Sequence, residues 1–451
     1  MKTAIIISLL CELLAVGPTA VSACLTEADI HDPRGDGLLL NRRQEGEEPS
    51  NLTNEGTIRV GTGDRFDNGT ILPVGIGSSS PANITTVYNV VEIQSASRAL
   101  VREYGLDYFE TPFKTYENAT VFGFKVPSAA NASFSVIIQT GIHARERGGP
   151  DHLLNFLADL LWAERQGKGL IYGGMEYTAA EVRRARSVGV VVLPLVNPDG
   201  VAYDHATDSC WRKNRNQASA LPNDTNSVGI DLNRNFPPAW DNAKAMAPNT
   251  TDDAISADPS SILFKGTEPL SEPESKNIVW TMDQMPDLRW FLDVHSMAGV
   301  MLYGWGHETN QGKDKSMNLL NPAYDGKRGA IPNNRALGYV YSEYYDQHEY
   351  DASTLTAAGM VDAMVASGGR QYYAQQSAGL YPAPGAASDH AMYRSLLDPV
   401  TKWANGFTLE FGAANFDARC LFYPTVESHL LSTVETGAAF MEFLLNVAKF
   451  S

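Results

Sequence analysis

The run Phe134-Ser135-Val136-Ile137-Ile138-Gln139-Thr140-Gly141-Ile142-His143-Ala144-Arg145-Glu146 decides how this 451-residue chain is read. Its first half is apolar and β-branched, as in a strand buried within a sheet. Its second half offers a histidine and a carboxylate three residues apart. One short loop can thereby present two ligands to a single Zn²⁺. A third must come from far along the chain, and Asp293-Val294-His295-Ser296 supplies one, again at the end of an apolar run. Two imidazoles and one carboxylate leave the fourth position of a tetrahedral zinc open, which marks a catalytic metal rather than a structural one. A lone His-x-x-Glu is common and usually means nothing, so the rest of the chain must support the idea.

Outward from this run, strand-like and helix-like segments alternate. Pro150–Arg165 carries Leu153, Phe156, Leu157, Leu160 and Leu161 at helical spacing. Gly189–Val196 is almost entirely Val and Leu, a strand buried on both faces. Trp290–Val294 and Gly406–Phe411 are further strands, and Thr433–Phe450 closes the chain as an amphipathic helix. The alternation predicts an α/β fold: a layered α/β/α domain with a mixed, largely parallel central sheet. Sites in such sheets gather at strand ends. His143, Asn197, His295 and Glu410 all fall there.

The amino terminus reads as a secretory signal over residues 1–23. Lys2 gives a positive start, Ala4 to Val16 is mostly apolar although Glu12 interrupts it, and Val21-Ser22-Ala23 resembles a cleavage site. No later segment approaches the length of apolar sequence that a membrane helix needs. We expect a secreted, extracellular monomer without a membrane partner. Seven Asn-x-Ser/Thr sequons, at Asn51, Asn68, Asn83, Asn118, Asn131, Asn223 and Asn249, favour a glycoprotein. Net charge is −17, which disfavours nucleic acid and anionic membranes. Cys11 should leave with the signal, leaving Cys24, Cys210 and Cys420. In an oxidising compartment Cys210 with Cys420 is the preferred disulfide, since both lie in the catalytic region; two buried thiols are the alternative. Residues 24–85 are polar and acidic, and are expected to form a short, poorly structured leader. Arg42-Arg43 within it is either a processing site or an ordinary exposed pair. Folded sequence is expected over 86–451.

Seven segments, in chain order, resemble the zinc metallocarboxypeptidases of the pancreatic carboxypeptidase A/B type. They are Gly141–Glu146, Asn197-Pro198-Asp199-Gly200, Trp211-Arg212-Lys213-Asn214-Arg215, Gly229–Phe236, Asp293–Ser296, Tyr381–Asp389 and Leu409-Glu410-Phe411-Gly412. The resemblance implies a secreted exopeptidase with one Zn²⁺ per chain, acting on peptide or protein C-termini. It implies His143, Glu146 and His295 as metal ligands, with Asp231 accepting a hydrogen bond from the first histidine and fixing its tautomer. Glu410 matches the catalytic base. Arg212 matches the arginine that stabilises the developing oxyanion. Asn233 and Arg234 match the pair that grips the terminal carboxylate, a task for which a planar guanidinium is suited. Tyr381 matches a mobile tyrosine that closes over the same group, and Arg145 a residue of the next subsite inward.

Two departures bear on the subsites: Met297 stands where the pancreatic relatives have tyrosine, and His390 where they have tryptophan. The pocket base falls on Ser388, with Leu302, Gly306, Gln376, Leu380, Ala383, Ala386 and Thr408 around it. None is charged, so the expected preference is for neutral, apolar or aromatic, C-terminal residues. A register slip of one residue would put Asp389 there and reverse the preference. His31, His152, His205, His307, His348 and His429 are expected to be surface or satisfied packing residues. Two other readings remain: a zinc amidase acting on acylated amino acids or cell-wall peptides, and an inactive binding relative. Classic relatives carry a longer folded prosegment, so any latency here is not expected to rest on that module.

Overall fold

The computed structural model describes residues 52–78, 84–129, 133–248, 250–251, 254–329 and 341–450. The signal segment, Cys11, Cys24, His31, Arg42-Arg43 and the sequons at Asn51, Asn83, Asn131 and Asn249 lie outside the described residues.

Eight strands form one sheet: β1 (Asp107–Lys114), β2 (Thr120–Val126), β3 (Val136–Thr140), β4 (Val190–Leu193), β5 (Trp290–Ser296), β6 (Val300–Tyr303), β7 (Tyr373–Gln376) and β8 (Asn405–Phe411). Their order is β7-β6-β8-β5-β3-β4-β2-β1. Pairings β7–β6, β8–β5, β5–β3 and β3–β4 are parallel; the other three are antiparallel. The sheet is therefore mixed and largely parallel, as the strand–helix alternation predicts. Every residue of β3, β4 and β5 is buried, which is why these strands show no alternation of apolar and exposed polar residues.

Helices cover both faces: α1 (Val90–Tyr104), α2 (Gly149–Gln166), α3 (Ala179–Ala185), α4 (Pro198–Thr207), α5 (Pro273–Asp283), α6 (Gln347–Gly368), α7 (Ala387–Leu397) and α8 (Val426–Phe450). The larger core lies between the sheet and α1, α2, α6 and α8, and a smaller one beneath α5 and α7. Phe440 and Phe443 of α8 are fully buried. Their rings meet Phe156 at 5.2 Å and Phe407 at 5.9 Å. Burial of each stabilises the fold by roughly 1.5–3 kcal/mol. Among the described residues α8 alone is long and apolar enough to cross a membrane, contrary to the expectation that no later segment comes near that limit. However, 72% of its most apolar stretch is buried inside the protein, and it serves as a core helix.

Residues 52–78 depart from the expected poorly structured leader. Ile58 is fully buried and its amide donates to Pro424 O at 2.7 Å. Arg59–Val60 pair in parallel with Thr86–Val87. Phe66 packs edge-on against Tyr88, Arg65 binds Glu92 at 2.7 Å, and the Gly77 amide donates to Asp159 at 2.7 Å. The segment is a belt tied down by backbone hydrogen bonds and a few apolar anchors. Bulk polarity conceals it because its partners are on other elements. At its start it meets the loop of Cys420, whose amide donates to Asn54 at 3.1 Å. Cys420 is bonded to Cys210, as preferred from the sequence. The described sequon asparagines Asn68, Asn118 and Asn223 are all exposed and at positive φ.

Candidate metal centre and cleft

The parallel strands bring the chemistry together at their carboxyl ends. His143 and Glu146 lie on the loop from β3 to α2. Asn197, at the start of α4, donates to Ile142 O at 3.0 Å, and the Ala144 amide donates to Arg212 O at 3.1 Å, so the loop is fixed from both sides. His295 ends β5, and Glu410 on β8 is its direct neighbour in the parallel register. Three donor atoms, one each from His143, Glu146 and His295, converge within 4.8 Å of one another. His143 Nδ1 lies 2.7 Å from Glu146 Oε1, His295 Nδ1 lies 2.9 Å from Glu146 Oε2, and the two Nδ1 atoms are 3.1 Å apart.

Burial opposes ionisation of Glu146, but the two imidazoles overcome it and hold its carboxyl low. Burial likewise opposes a charged His295, yet Asp293 and Glu146 raise its pKa well above the ordinary value. The carboxylates around the two rings thus make this buried position favourable to positive charge. Two nitrogens and a carboxylate are the donor set that Zn²⁺ accepts. His143 Nε2 faces Asp231 Oδ1 at 3.0 Å. Asp231 also receives both Arg212 Nε at 3.0 Å and Nη2 at 2.9 Å. Burial opposes its charge, and Arg212 and His143 reverse that and hold its pKa well below normal.

Glu410 Oε1 stands 4.0 Å from His295 Nδ1, with a fifth of its side chain open. Burial, and then the Glu146 carboxylate, push its pKa up to about 8. Arg212 Nη1 stands 3.7 Å from Glu146. A cleft of about 500 Å³ joins these groups to Asn233, Arg234 and Tyr381. The Asn233 side chain accepts from the Ala387 amide at the start of α7, at 2.9 Å. Arg234 donates to Ala254 O and to Asn233 O. Gly385, at φ 80°, presses so closely on Arg234 that a Cβ would sit 2.5 Å from its carbonyl oxygen. Only glycine fits there, and the close approach carries the Tyr381 loop onto the Arg234 turn.

The expected pocket residues Leu302, Leu380, Ala383, Ala386, Ser388 and Thr408 line the cleft, together with Ser377, which sequence reasoning missed. Gly306 and Gln376 do not line it; the Gln376 amide donates instead to the carbonyls of Trp305 and Glu308. Arg145 is also outside the lining. Its guanidinium is stacked 4.0 Å over the Phe422 ring, which draws it away from the cleft. Asp389 faces away: both its oxygens accept from the Gly306 amide, at 2.8 and 2.9 Å, and one meets His307 Nδ1 at 3.1 Å. His390 is buried near Phe236 and Tyr393, and Met297 is half-buried just past β5. His307 is a satisfied core residue and His348 is exposed, as expected. His152 and His429 are not satisfied: both are buried, with no hydrogen-bond partner on any ring nitrogen.

A family model described as zinc carboxypeptidase matches residues 110–436. Carboxypeptidase O of Homo sapiens is 28% identical over 242 residues, covering 52% of this chain and 58% of that protein. Carboxypeptidase A1 of Sus scrofa is 26% identical over 240 residues, covering 53% and 51%. The chain thus spans about half the length of the curated relatives it matches. Among solved structures, thrombin activatable fibrinolysis inhibitor superposes with a TM-score of 0.57 at 22% identity, over 81% of this chain and 75% of that one. Carboxypeptidase A from Helicoverpa armigera gives 0.54 at 21%, over 82% and 76%. These two share the fold, whose strand ends hold the donors His143, Glu146 and His295. With most of its length inside the family match, the chain belongs to the zinc carboxypeptidase family.

Proposed function

We propose that the protein is a secreted zinc-dependent exopeptidase that hydrolyses the C-terminal peptide bond of peptides and prefers neutral, apolar or aromatic, terminal residues. The observation that carries this reading is a single cleft lined by His143, His295, Glu410 and Arg212 together with Asn233, Arg234 and Tyr381. His143, Glu146 and His295 would hold the zinc, which supplies Lewis-acid polarisation of the scissile carbonyl and a more acidic water. Glu410 takes the proton from the attacking water and returns it to the departing amine. A carboxyl with a raised pKa is suited to that exchange near neutral pH. Arg212, held by Asp231, offers its remaining guanidinium edge to the developing oxyanion. Arg234 and Asn233 grip the terminal carboxylate and Tyr381 closes over it, so a mid-chain bond, which has no free carboxylate, is not selected. Arg145 would contribute to the inward subsite only by leaving Phe422.

The neutral preference rests on the wall of the cleft. Ser388, Ser377 and Thr408 are its polar members, and the neighbouring Asp389 is already committed to Gly306 and His307. A terminal Lys or Arg would be buried there without a counter-charge. Hydrolysis of peptides ending in Phe, Leu, Gln, Glu and Arg tests this. We expect kcat/KM to be highest for Phe or Leu, and fastest cleavage after Arg would refute it. Exposed sequons and the Cys210–Cys420 bond support secretion.

A further inference from the structure

The two histidines of the metal site are built alike. Each ring turns Nδ1 inward, toward Glu146 and the other ring, and Nε2 outward. Behind His143 the outward nitrogen meets Asp231 at 3.0 Å. Behind His295 it meets Asp293 Oδ2 at 2.9 Å. We propose that Asp293 is a positioning residue for the third zinc ligand: it accepts the Nε2 proton of His295 and so commits Nδ1 to the metal. This rests on the zinc reading of the site.

Asp293 lies two residues before His295, on the same face of β5, and is fully buried. A carboxylate in the middle of an eight-stranded sheet is costly unless a positive or donating group meets it. Among the described residues its ion-pair partner is His295. Asp231, by contrast, is shared with Arg212 and with the Asn233 amide. The other polar group near His295 Nε2 is Asn233 Nδ2, at 3.4 Å. Its amide is oriented by Ala387, whose N–H donates to Asn233 Oδ1, so a donor faces the ring. That nitrogen cannot accept the ring proton; Asp293 Oδ2, 2.9 Å from Nε2, is an acceptor within reach of it, although neither Asp293 oxygen makes a hydrogen bond in this structure. Opposite Asp293 in the β3–β5 register stands Gln139, whose buried amide atoms have no hydrogen-bond partner.

The test is zinc affinity, measured by competition with a chromophoric chelator, on wild type, Asp293→Asn, Asp293→Ser and, as benchmark, Asp231→Asn. Unfolding of each metal-free form is followed in parallel, with the visible spectrum of the cobalt-loaded forms. Loss of such an outer partner typically weakens metal binding about 10–100-fold. We expect Asp293→Asn to fold without metal, to bind zinc that much more weakly, and to shift the cobalt spectrum. Should the asparagine variant not fold, the smaller serine variant carries the same expectation. Wild-type affinity and an unchanged cobalt spectrum in whichever variant folds would overturn the assignment, as would lowered metal-free stability in both with affinity intact. A wild-type protein that binds no zinc would instead refute the metal site itself, which separates the two failures.

Discussion

The molecule holds two pairs of buried histidines, His143 with His295 and His152 with His429, and their difference shows what makes a metal site. His143 and His295 have ring centroids 4.7 Å apart, and His152 and His429 are 4.8 Å apart. A Cβ on Gly148 would stand 3.1 Å from both His152 Nε2 and His429 Nδ1. Spacing and burial are nearly the same, but the company is not. The first pair touches Glu146, Asp231 and Asp293. The second packs on Phe411, and the charge that bears on it is Arg370, itself tied to Glu435. Burial therefore dominates the second pair: with the His429 and Arg370 charges acting in the same direction it holds His152 well below its ordinary pKa, and by itself it holds His429 at about 4. In the first pair, carboxylates reverse the same penalty for His295. Burial penalises charge, and only placed counter-charge turns a histidine pair toward a cation.

Breaking the comparison gives the largest effect. His143→Ala or His295→Ala should remove stoichiometric zinc and lower kcat/KM by at least about 10³-fold, since metal polarisation is worth several kcal/mol. His152→Phe and His429→Leu should leave zinc content at one per chain. Metal analysis of the purified variants decides it, and zinc loss in the second set would mean that the two pairs are not independent. Next in size is Glu410→Gln, which keeps the volume and removes the base. Its neighbour His295 remains, so zinc should stay bound while kcat falls by about 10²–10⁴-fold. Retained turnover with full zinc would refute Glu410 as the base.

The first pair was legible in the sequence and the second was not, for a physical reason. His143 and Glu146 are three residues apart, and each of His143, His295 and Glu410 follows an apolar run that had to be a strand end. The strands lie close to their apolar runs: Trp290–Val294 falls within the strand Trp290–Ser296, and Gly189–Val196 contains Val190–Leu193. The pairing of Cys210 with Cys420 was legible from compartment and position. His152 and His429, by contrast, sit within helices whose other residues set the pattern, and nothing local brings two helix starts together. Asp293 was read as the end of an apolar run, because a single carboxylate inside a strand has no signature until its neighbour's ring is placed. The belt at residues 52–78 escaped for a third reason. Its affinity for the domain lies in backbone hydrogen bonds such as Ile58 to Pro424, and composition does not report those.

The smallest expected effect sharpens the comparison through pH. A histidine whose folded pKa lies below its unfolded value near 6.5 favours the unfolded chain as protons are added. The stability is thus complete above about pH 6.5 and is lost as pH falls toward 4, the value for His429. At one pKa unit per 1.36 kcal/mol, His429 alone removes about 2 kcal/mol by pH 5. His152, also held well below its ordinary value, adds loss in the same direction. Other buried groups act with the opposite sign, among them Asp151 and Glu274, each pushed up to about 8 by burial, so that acidification below pH 8 stabilises the fold through them. The informative quantity is therefore a difference between proteins, taken without metal so that zinc release does not enter. Tm is measured at pH 7 and pH 5 for wild type and for the His152→Phe/His429→Leu double variant. The variant should lose less Tm on acidification than wild type does. At pH 7 it should be no less stable, since unpartnered buried nitrogens are replaced by apolar surface of similar shape. Equal acid sensitivity in the two proteins would mean that these nitrogens are partnered in solution, and the contrast with His143 and His295 would narrow to the metal alone.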